Sequence, residues 1–394
     1  MRVVSVVGAR PNFVKIAPLA REMKRHRWIV PTLVHTGQHY DDAMSEQFFR
    51  DLEIGLPDVN LGVGSASHAV QTAEVIRRLE PLLVGSRPDL VLVVGDVNST
   101  LAAALTAVKL QIPVAHVEAG LRSFDRRMPE EINRLLTDAV ADLLFVTEES
   151  GRQNLLREGV ARDKIHLVGN VMIDALEMFR SRWMRSKIFD VLGLAPDRAY
   201  AVVTLHRPSN VDDPATLARF IAALDELSSR LPVIFPVHPR ARARLDRGGL
   251  AAGASGSAAH ANGDRGLVFL DPLGYLDFIA LLSRARVVLT DSGGVQEETT
   301  GLGVPCLTLR ENTERPVTVT HGTNRVIGTD PDCIAKEALR TLEEPPVPRR
   351  RPPQWDGHAA GRILSVLRRR WEGAAEVPAA VVRVPMELGA GRDA

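Results

Sequence analysis

The sequence predicts an α/β protein built from two doubly wound, Rossmann-like domains. Three observations lead there. Short β-branched, almost wholly apolar runs alternate with helical segments along the chain, the signature of parallel strands joined by crossover helices. That plan runs through twice, once in each half. And 394 residues exceed what a single hydrophobic core ordinarily serves.

In the first half the runs Val3–Val7, Thr32–Thr36, Leu90–Val94, Val114–Val117, Leu143–Thr147 and Ile165–Val168 read as strands. In the second half Ala201–Thr204, Val233–Val237, Leu267–Leu270, Val287–Thr290, Cys306–Leu309 and Arg325–Ile327 do so. Their near-continuous apolar character suits sheets covered on both faces. The seam falls within 170–199, where the helix-like run Val171–Phe189 crosses between the halves and Gly193–Asp197 is rich in turn formers. The expected division is 1–172, 173–360, a last helix at 361–372 that packs back on the first domain, and a disordered tail at 373–394. Gly248–Gly266 reads as a flexible surface insertion and Pro345–Pro353 as a break in the chain.

Composition narrows the function classes. Lys and Arg number 49 against 48 Asp and Glu, a net charge of +1, which argues against nucleic acid or a membrane surface as the main partner. The two cysteines, Cys306 and Cys333, make neither a disulfide framework nor a zinc knuckle. The apolar run Val3–Val7 is too short for a signal peptide, and no stretch approaches the roughly 20 apolar residues of a membrane helix. The expected location is cytoplasmic.

In open parallel sheets ligands bind beyond the carboxyl ends of the strands, so the residues after each strand carry the information. After the first strand comes Gly8-Ala9-Arg10-Pro11-Asn12-Phe13-Val14-Lys15. One glycine stands where a dinucleotide fingerprint needs three, so no nicotinamide cofactor is expected. Pro11 suits the first helical position, and Arg10 and Lys15 are placed either to reach an anion at that helix terminus or to be plain solvated cations. Asp291-Ser292-Gly293-Gly294-Val295-Gln296-Glu297-Glu298 is sharper. Gly293 and Gly294 allow close backbone approach to a phosphate, Ser292 adds a hydroxyl, and Glu298 one turn on can accept hydrogen bonds from ribose hydroxyls. Arg315, in Thr313-Glu314-Arg315-Pro316, offers a cation for a diphosphate, and Phe278 is either a base-stacking ring or core.

Carboxylates gather on the other side. Asp96 and Glu118 each end a buried strand, where an acid needs a partner or a function. Glu130 and Glu131 open a helix, where the dipole alone favours acids, and Glu130 stands four before Arg134 as an ordinary helix pair. His206-Arg207 and His238 follow two strands of the second half, positions suited to a general acid or a phosphate donor. No zinc spacing is present, since Gly37 breaks any helix between His35 and His39, and no metal is expected.

Together, GARPNFVKIAPL, VVGDVNSTLAAAL, HVEAGLRSFDRRMPEEINR, VTLHRPSNVDD, LTDSGGVQEE and ENTERP resemble the non-hydrolysing UDP-N-acetylglucosamine 2-epimerases, in matching order over roughly Met1 to Asp330. The resemblance implies a two-domain glycosyltransferase type B architecture with a central cleft, a UDP-sugar substrate and a homodimer. It places Asp96, Glu118, Glu130 and His206 on the catalytic positions. Arg10 and Lys15 fall on positions facing the diphosphate and sugar, Ser292, Gly293, Glu298 and Arg315 on UDP-binding positions, and Phe278 near the uracil. Two departures stand out: a shorter Glu118–Glu130 loop, and Asp41 in Gln38-His39-Tyr40-Asp41 where regulated bacterial members carry another glutamine.

Inverting C2 of such a sugar requires removal of a proton that no adjacent carbonyl acidifies. Expulsion of UDP from C1 solves this through an oxocarbenium-like centre and a glycal. The route needs anions around a cationic sugar, a base for C2–H and cations on the leaving diphosphate, and the sequence supplies all three sets. Rival readings are a hydrolysing epimerase releasing ManNAc and UDP, a glycosyltransferase of the same fold, and a non-catalytic UDP-sugar sensor. A modified UDP-GlcNAc relative also remains open as the substrate.

Overall fold

The computed structural model describes residues 1–37, 49–195, 197–248, 266–344 and 350–375. Among these residues two parallel sheets form. The first has seven strands in the order β3-β2-β1-β4-β5-β6-β7: β1 Arg2–Val7, β2 Val30–His35, β3 Val59–Asn60, β4 Leu90–Val94, β5 Val114–Ala119, β6 Leu143–Val146 and β7 Ile165–Leu167. The second has six in the order β10-β9-β8-β11-β12-β13: β8 Ala201–Thr204, β9 Val233–Pro236, β10 Leu267–Leu270, β11 Val287–Thr290, β12 Cys306–Thr308 and β13 Asn324–Val326. Each order reverses once, between β1 and β4 and between β8 and β11, which opens a crevice at the carboxyl ends of those strands.

The local reasons are legible. All five side chains of β4, Leu-Val-Leu-Val-Val, are buried, because helices cover both faces of the sheet. The Arg10–Lys24 helix starts one residue before Pro11, which stands at its second rather than its first position, and Asn12 ties the helix to the strand tips. Its Oδ1 accepts from the amides of Gly8 and Ala9, while its Nδ2 donates to the Val94 carbonyl at 2.8 Å. All twelve expected strands are found; β3 was not foreseen, since a two-residue edge strand has too little length to show periodicity.

The crossing segment differs from one long helix. It breaks into Val171–Met178, Arg180–Trp183 and Ile188–Leu192. Its apolar residues Val171, Ile173, Leu176 and Phe179 join one continuous core that takes in Val3, Leu92 and Phe145 of the first sheet and Ile234 and Val288 of the second. The chain then returns to the first sheet. The Trp355 indole donates to the Thr147 carbonyl at 3.0 Å, and Asp174 caps the final Ala359–Ala375 helix by accepting from the amides of Ala359 and Ala360. Gly169 permits this return, because a Cβ there would lie 2.1 Å from the Gln354 carbonyl oxygen. The helix starts two residues earlier and ends three later than the limits of 361–372 expected from the sequence. Most of the expected insertion at Gly248–Gly266, most of the Pro345–Pro353 break, the tail beyond Ala375 and the Gln38-His39-Tyr40-Asp41 segment lie outside the described residues.

Candidate active site

The strand tips of both sheets converge on one ionic cluster. Asp96 follows β4, Glu118 lies at the end of β5, and Glu130 and Arg134 sit on the Pro129–Val140 helix. From the other side come His206 after β8, Asp291 after β11, and Arg315.

Lys15 and Glu118, both buried, form an ion pair within the first half. The other Glu118 oxygen meets Arg315 Nη2 at 2.5 Å, so this carboxylate bridges the two halves. Arg315 also pairs with Glu314, which holds Arg310 at 2.7 Å. Its Nε lies 2.7 Å from Glu297 Oε1, yet the N–H is not aligned, so both Glu297 oxygens lack a hydrogen-bond donor among the described residues. A second bridge runs from Arg207 of the second half to Glu130, at 3.7 Å. Arg207 also stands 4.0 Å from Glu314, and its buried Nε has no acceptor among the described residues.

Electrostatics sort these acids into two kinds. Burial works to raise the Asp96 carboxyl, but Arg134, Lys15 and Arg315 outweigh it and hold the group below its ordinary range. Glu314 is treated the same way, with Arg315, Arg310 and Arg134 overcoming burial to hold it well below. By contrast burial, followed by repulsion from Glu297, pushes Glu298 up to about 8. Burial likewise pushes Glu297 up to about 7, with Arg315 only partly offsetting it and Glu118 adding repulsion. The cleft therefore holds ionised carboxylates beside protonatable ones.

His206 is oriented from behind. Its Nδ1 lies 2.7 Å from Asp291 Oδ1, and the fully buried Asp291 also accepts from the amides of His206 and Arg207 and from Asn210 Nδ2. The rings of His206 and His238 stand 5.7 Å apart, and His238 caps its own helix by accepting from the Arg240 amide. The Gly293–Leu302 helix begins directly beyond β11, with Ser292 at its N-cap and the Ser292 side chain not spent on capping. A helix terminus with open amides and a spare hydroxyl favours an anion. Met172 Cε would be an ordinary neighbour, at 3.8 Å, of a Cβ placed on Gly294.

A scan against family models matches residues 21–368 to UDP-N-acetylglucosamine 2-epimerase. The chain belongs to this family. A UDP-N-acetylglucosamine 2-epimerase homolog of Methanococcus maripaludis is 45% identical over 338 residues, covering 85% of this chain and 90% of the relative. A UDP-2,3-diacetamido-2,3-dideoxy-D-glucuronate 2-epimerase of Pseudomonas aeruginosa is 41% identical over 345 residues, covering 87% and 92%. Among solved structures, the Methanocaldococcus jannaschii UDP-GlcNAc 2-epimerase in complex with UDP-GlcNAc and UDP superposes with a TM-score of 0.85 at 37% identity, covering 94% of this chain and 100% of that one. The architecture of this 2-epimerase family member is thus the two-sheet α/β fold with a central cleft.

Most residues singled out from the sequence do meet around that cleft, with three adjustments. Arg134 is not the helix partner of Glu130: it reaches Asp96 at 2.5 Å and Glu131 at 2.5 Å, because a strand-tip acid is the better acceptor for a buried guanidinium. Glu131, rather than idling in a first turn, also accepts from the amides of Ser123 and Phe124 and so shapes the loop after β5. Gly293 is needed for the approach of Arg315, since a Cβ would lie 2.3 Å from its Nη1. Phe278 is half-buried against the shared core, and Arg10 is half-buried at the first position of its helix. The 2-epimerase cleft also holds Asp291, Glu297, Glu314 and Arg310, which sequence reasoning did not single out. Their neighbours in the TDSGG and ENTERP motifs were the available signal.

Proposed function

We propose that this chain catalyses reversible C2 epimerisation of UDP-N-acetylglucosamine to UDP-N-acetylmannosamine, by elimination and re-addition of UDP through a glycal, in the supply of surface polysaccharide precursors. The observation that carries the reading is Glu118 held between Lys15 and Arg315, which puts a base for the sugar beside a cation for the leaving group. The C1–O bond breaks as UDP leaves with its electron pair, and a carboxylate takes the C2 proton. After the proton returns on the opposite face, UDP adds back to C1. Asp96, Glu118 and Glu130 share proton transfer and stabilisation of the cationic sugar. His206, oriented by Asp291, acts with Arg10, Lys15 and Arg315 on the diphosphate.

The amides of Gly293 and Gly294, with the Ser292 hydroxyl, receive phosphate oxygens. Glu298, as a protonated acid, can donate to one ribose hydroxyl and accept from the other. Phe278 flanks the base, and Arg134, Arg207 and His238 complete the substrate wall. The reading includes a homodimer in the cytoplasm, with no metal or nicotinamide, and domain limits of 1–172 and 173–360. Among the described residues no helix is long and apolar enough to cross a membrane.

The test is proton NMR of the protein with UDP-GlcNAc in D₂O. UDP-ManNAc carrying deuterium at C2 is the expected product. Free ManNAc plus UDP would move the enzyme to the hydrolysing branch. Turnover of the diacetamido uronate alone, the sugar named for the Pseudomonas relative, would change the substrate and keep the chemistry.

A further inference from the structure

Glu118 stands in a backbone conformation that it would not adopt unaided. Its φ is +75°, in the left-handed region that side chains with a Cβ avoid. The pairing of β5 with β6 explains how. Val117 faces Phe145 and Ala119 faces the next residue, Val146, so Glu118 is the extra residue of a bulge. A bulge re-aims a side chain, and this one aims Glu118 at Lys15 and Arg315.

Something must hold the bulge, and one buried carboxylate grips it on both sides. Asp138 Oδ1 lies 2.6 Å from His116 Nδ1, two residues before Glu118. Asp138 Oδ2 accepts from the Gly120 amide at 3.0 Å, two residues after it, and from Arg122 Nη1 at 2.7 Å. The other His116 nitrogen, Nε2, is 2.8 Å from the carbonyl oxygen of Gly95, the residue before Asp96. The ring thus ties the bulge both to the Pro129–Val140 helix, through Asp138, and to the residue before Asp96. Asp138 lies one helical turn beyond Arg134, which holds the Asp96 side chain. One helix therefore carries Glu130 and, through Arg134 and Asp138, sets the two strand tips that bear the other carboxylates.

We propose that Asp138 and His116 are positioning residues for the reaction: they hold the bulge that presents Glu118 and fix the Gly95 carbonyl beside Asp96. The proposal rests on the reading of Glu118 as a reacting carboxylate. Neither residue need touch the sugar.

The test compares Asp138→Asn with Glu158→Gln. Glu158 grips the other end of Arg122, at 2.6 Å, and has no hydrogen bond to the bulge among the described residues. Asp138→Asn is expected to lower kcat about 100-fold, the usual consequence of displacing a reacting group by an ångström or so. KM and inhibition by UDP should stay within about 2-fold, since uniform binding is untouched. Glu158→Gln should keep kcat at whatever loss of thermal stability it brings. If Asp138→Asn does not fold, His116→Asn, whose amide nitrogen takes the place of Nδ1 against Asp138 but does not reach Gly95, removes the link to Gly95 alone and should still lower kcat about 10-fold with KM unchanged. Equal kcat loss in Glu158→Gln at matched stability, or full kcat in either bulge variant, would overturn the proposal. Should the wild-type protein fail to exchange C2–H of any UDP-sugar offered, the proposed function falls separately. A crystal structure of Asp138→Asn then decides by the φ of Glu118: a negative value supports the positioning role, and a retained positive value defeats it.

Discussion

A guanidinium as buried as Arg315 survives only because acids surround it. Three carboxylates, Glu118, Glu297 and Glu314, share its charge, and removing one partner from such a cluster costs far more than an exposed pair would. Replacement by lysine should keep a charge and lose the fork that engages Glu118 and Glu314 together. Arg315→Lys is therefore expected to lower kcat/KM at least 100-fold, about 3 kcal/mol, as read by steady-state epimerisation. Glu298 supports a different prediction, because its carboxyl is pushed up to about 8, by burial first and Glu297 second. Below that value the group is neutral and can donate to ribose in the proposed UDP site, and above it a new anion forms there. UDP affinity measured by calorimetry should hold from pH 6 to about 7.5 and weaken towards pH 9. Glu298→Gln should bind UDP within about 5-fold of wild type at pH 7 and lose that alkaline decline. Asp96, Glu118 and His206 were legible in the sequence because each stands at or within two residues of the end of an apolar strand. Glu297 and Asp291 were not, because the groups that engage them, Arg315 and the His206–Asn210 segment, stand on other elements of the second half, and Glu314 was not because spacing does not show it turned inward onto Arg310 and Arg315. Arg134 was misread since spacing along one helix cannot reveal a strand tip packed across it.

At the scale of elements, the parallel strands were the most legible, for a short, continuous run of β-branched apolar residues fits a strand covered on both faces and little else. Their crossing segment was the least, because Val171–Phe189 has helical periodicity throughout while its packing against two sheets breaks it into three pieces. The final helix is a separable case. Its start is fixed by Asp174, which accepts from two amides that otherwise have no partner within the helix. Asp174→Ala should destabilise the protein by about 1–2 kcal/mol, the usual worth of such a cap, with kcat unchanged, as read by denaturant unfolding alongside activity. A loss of activity without loss of stability would count against a purely capping role.

For the whole molecule, the two halves meet through both oil and charge. The shared apolar core was implicit in the crossing segment, but the ionic bridges Glu118–Arg315 and Glu130–Arg207 appear only when the sheets face each other. Protonation of the interface follows. Glu148, whose Oε1 accepts from the Val317 amide across the seam, is pushed up to about 7 by burial first, with Glu297 adding repulsion. Glu297 and Glu298 are raised as well, to about 7 and about 8. A raised acid binds its proton in the folded chain and not in the unfolded one, so its stabilisation is complete below the unfolded value and lost as pH rises through the folded value. The thermal midpoint of the ligand-free protein is therefore expected to fall from about pH 5 to about pH 8. A midpoint that climbs over that interval would show that these three acids ionise freely in the fold.

The return of the last helix has a mechanical meaning. Trp355 and Arg362 fasten that helix to Thr147 and Val168, on the same sheet that begins with β1. The whole second sheet is thus a loop of chain inserted between two parts of the first. Tension applied at residues 1 and 368 would first load the seam between the final helix and the first sheet, where these two hydrogen bonds lie. The second half, shielded inside the closed loop, would feel no pull until that seam had parted.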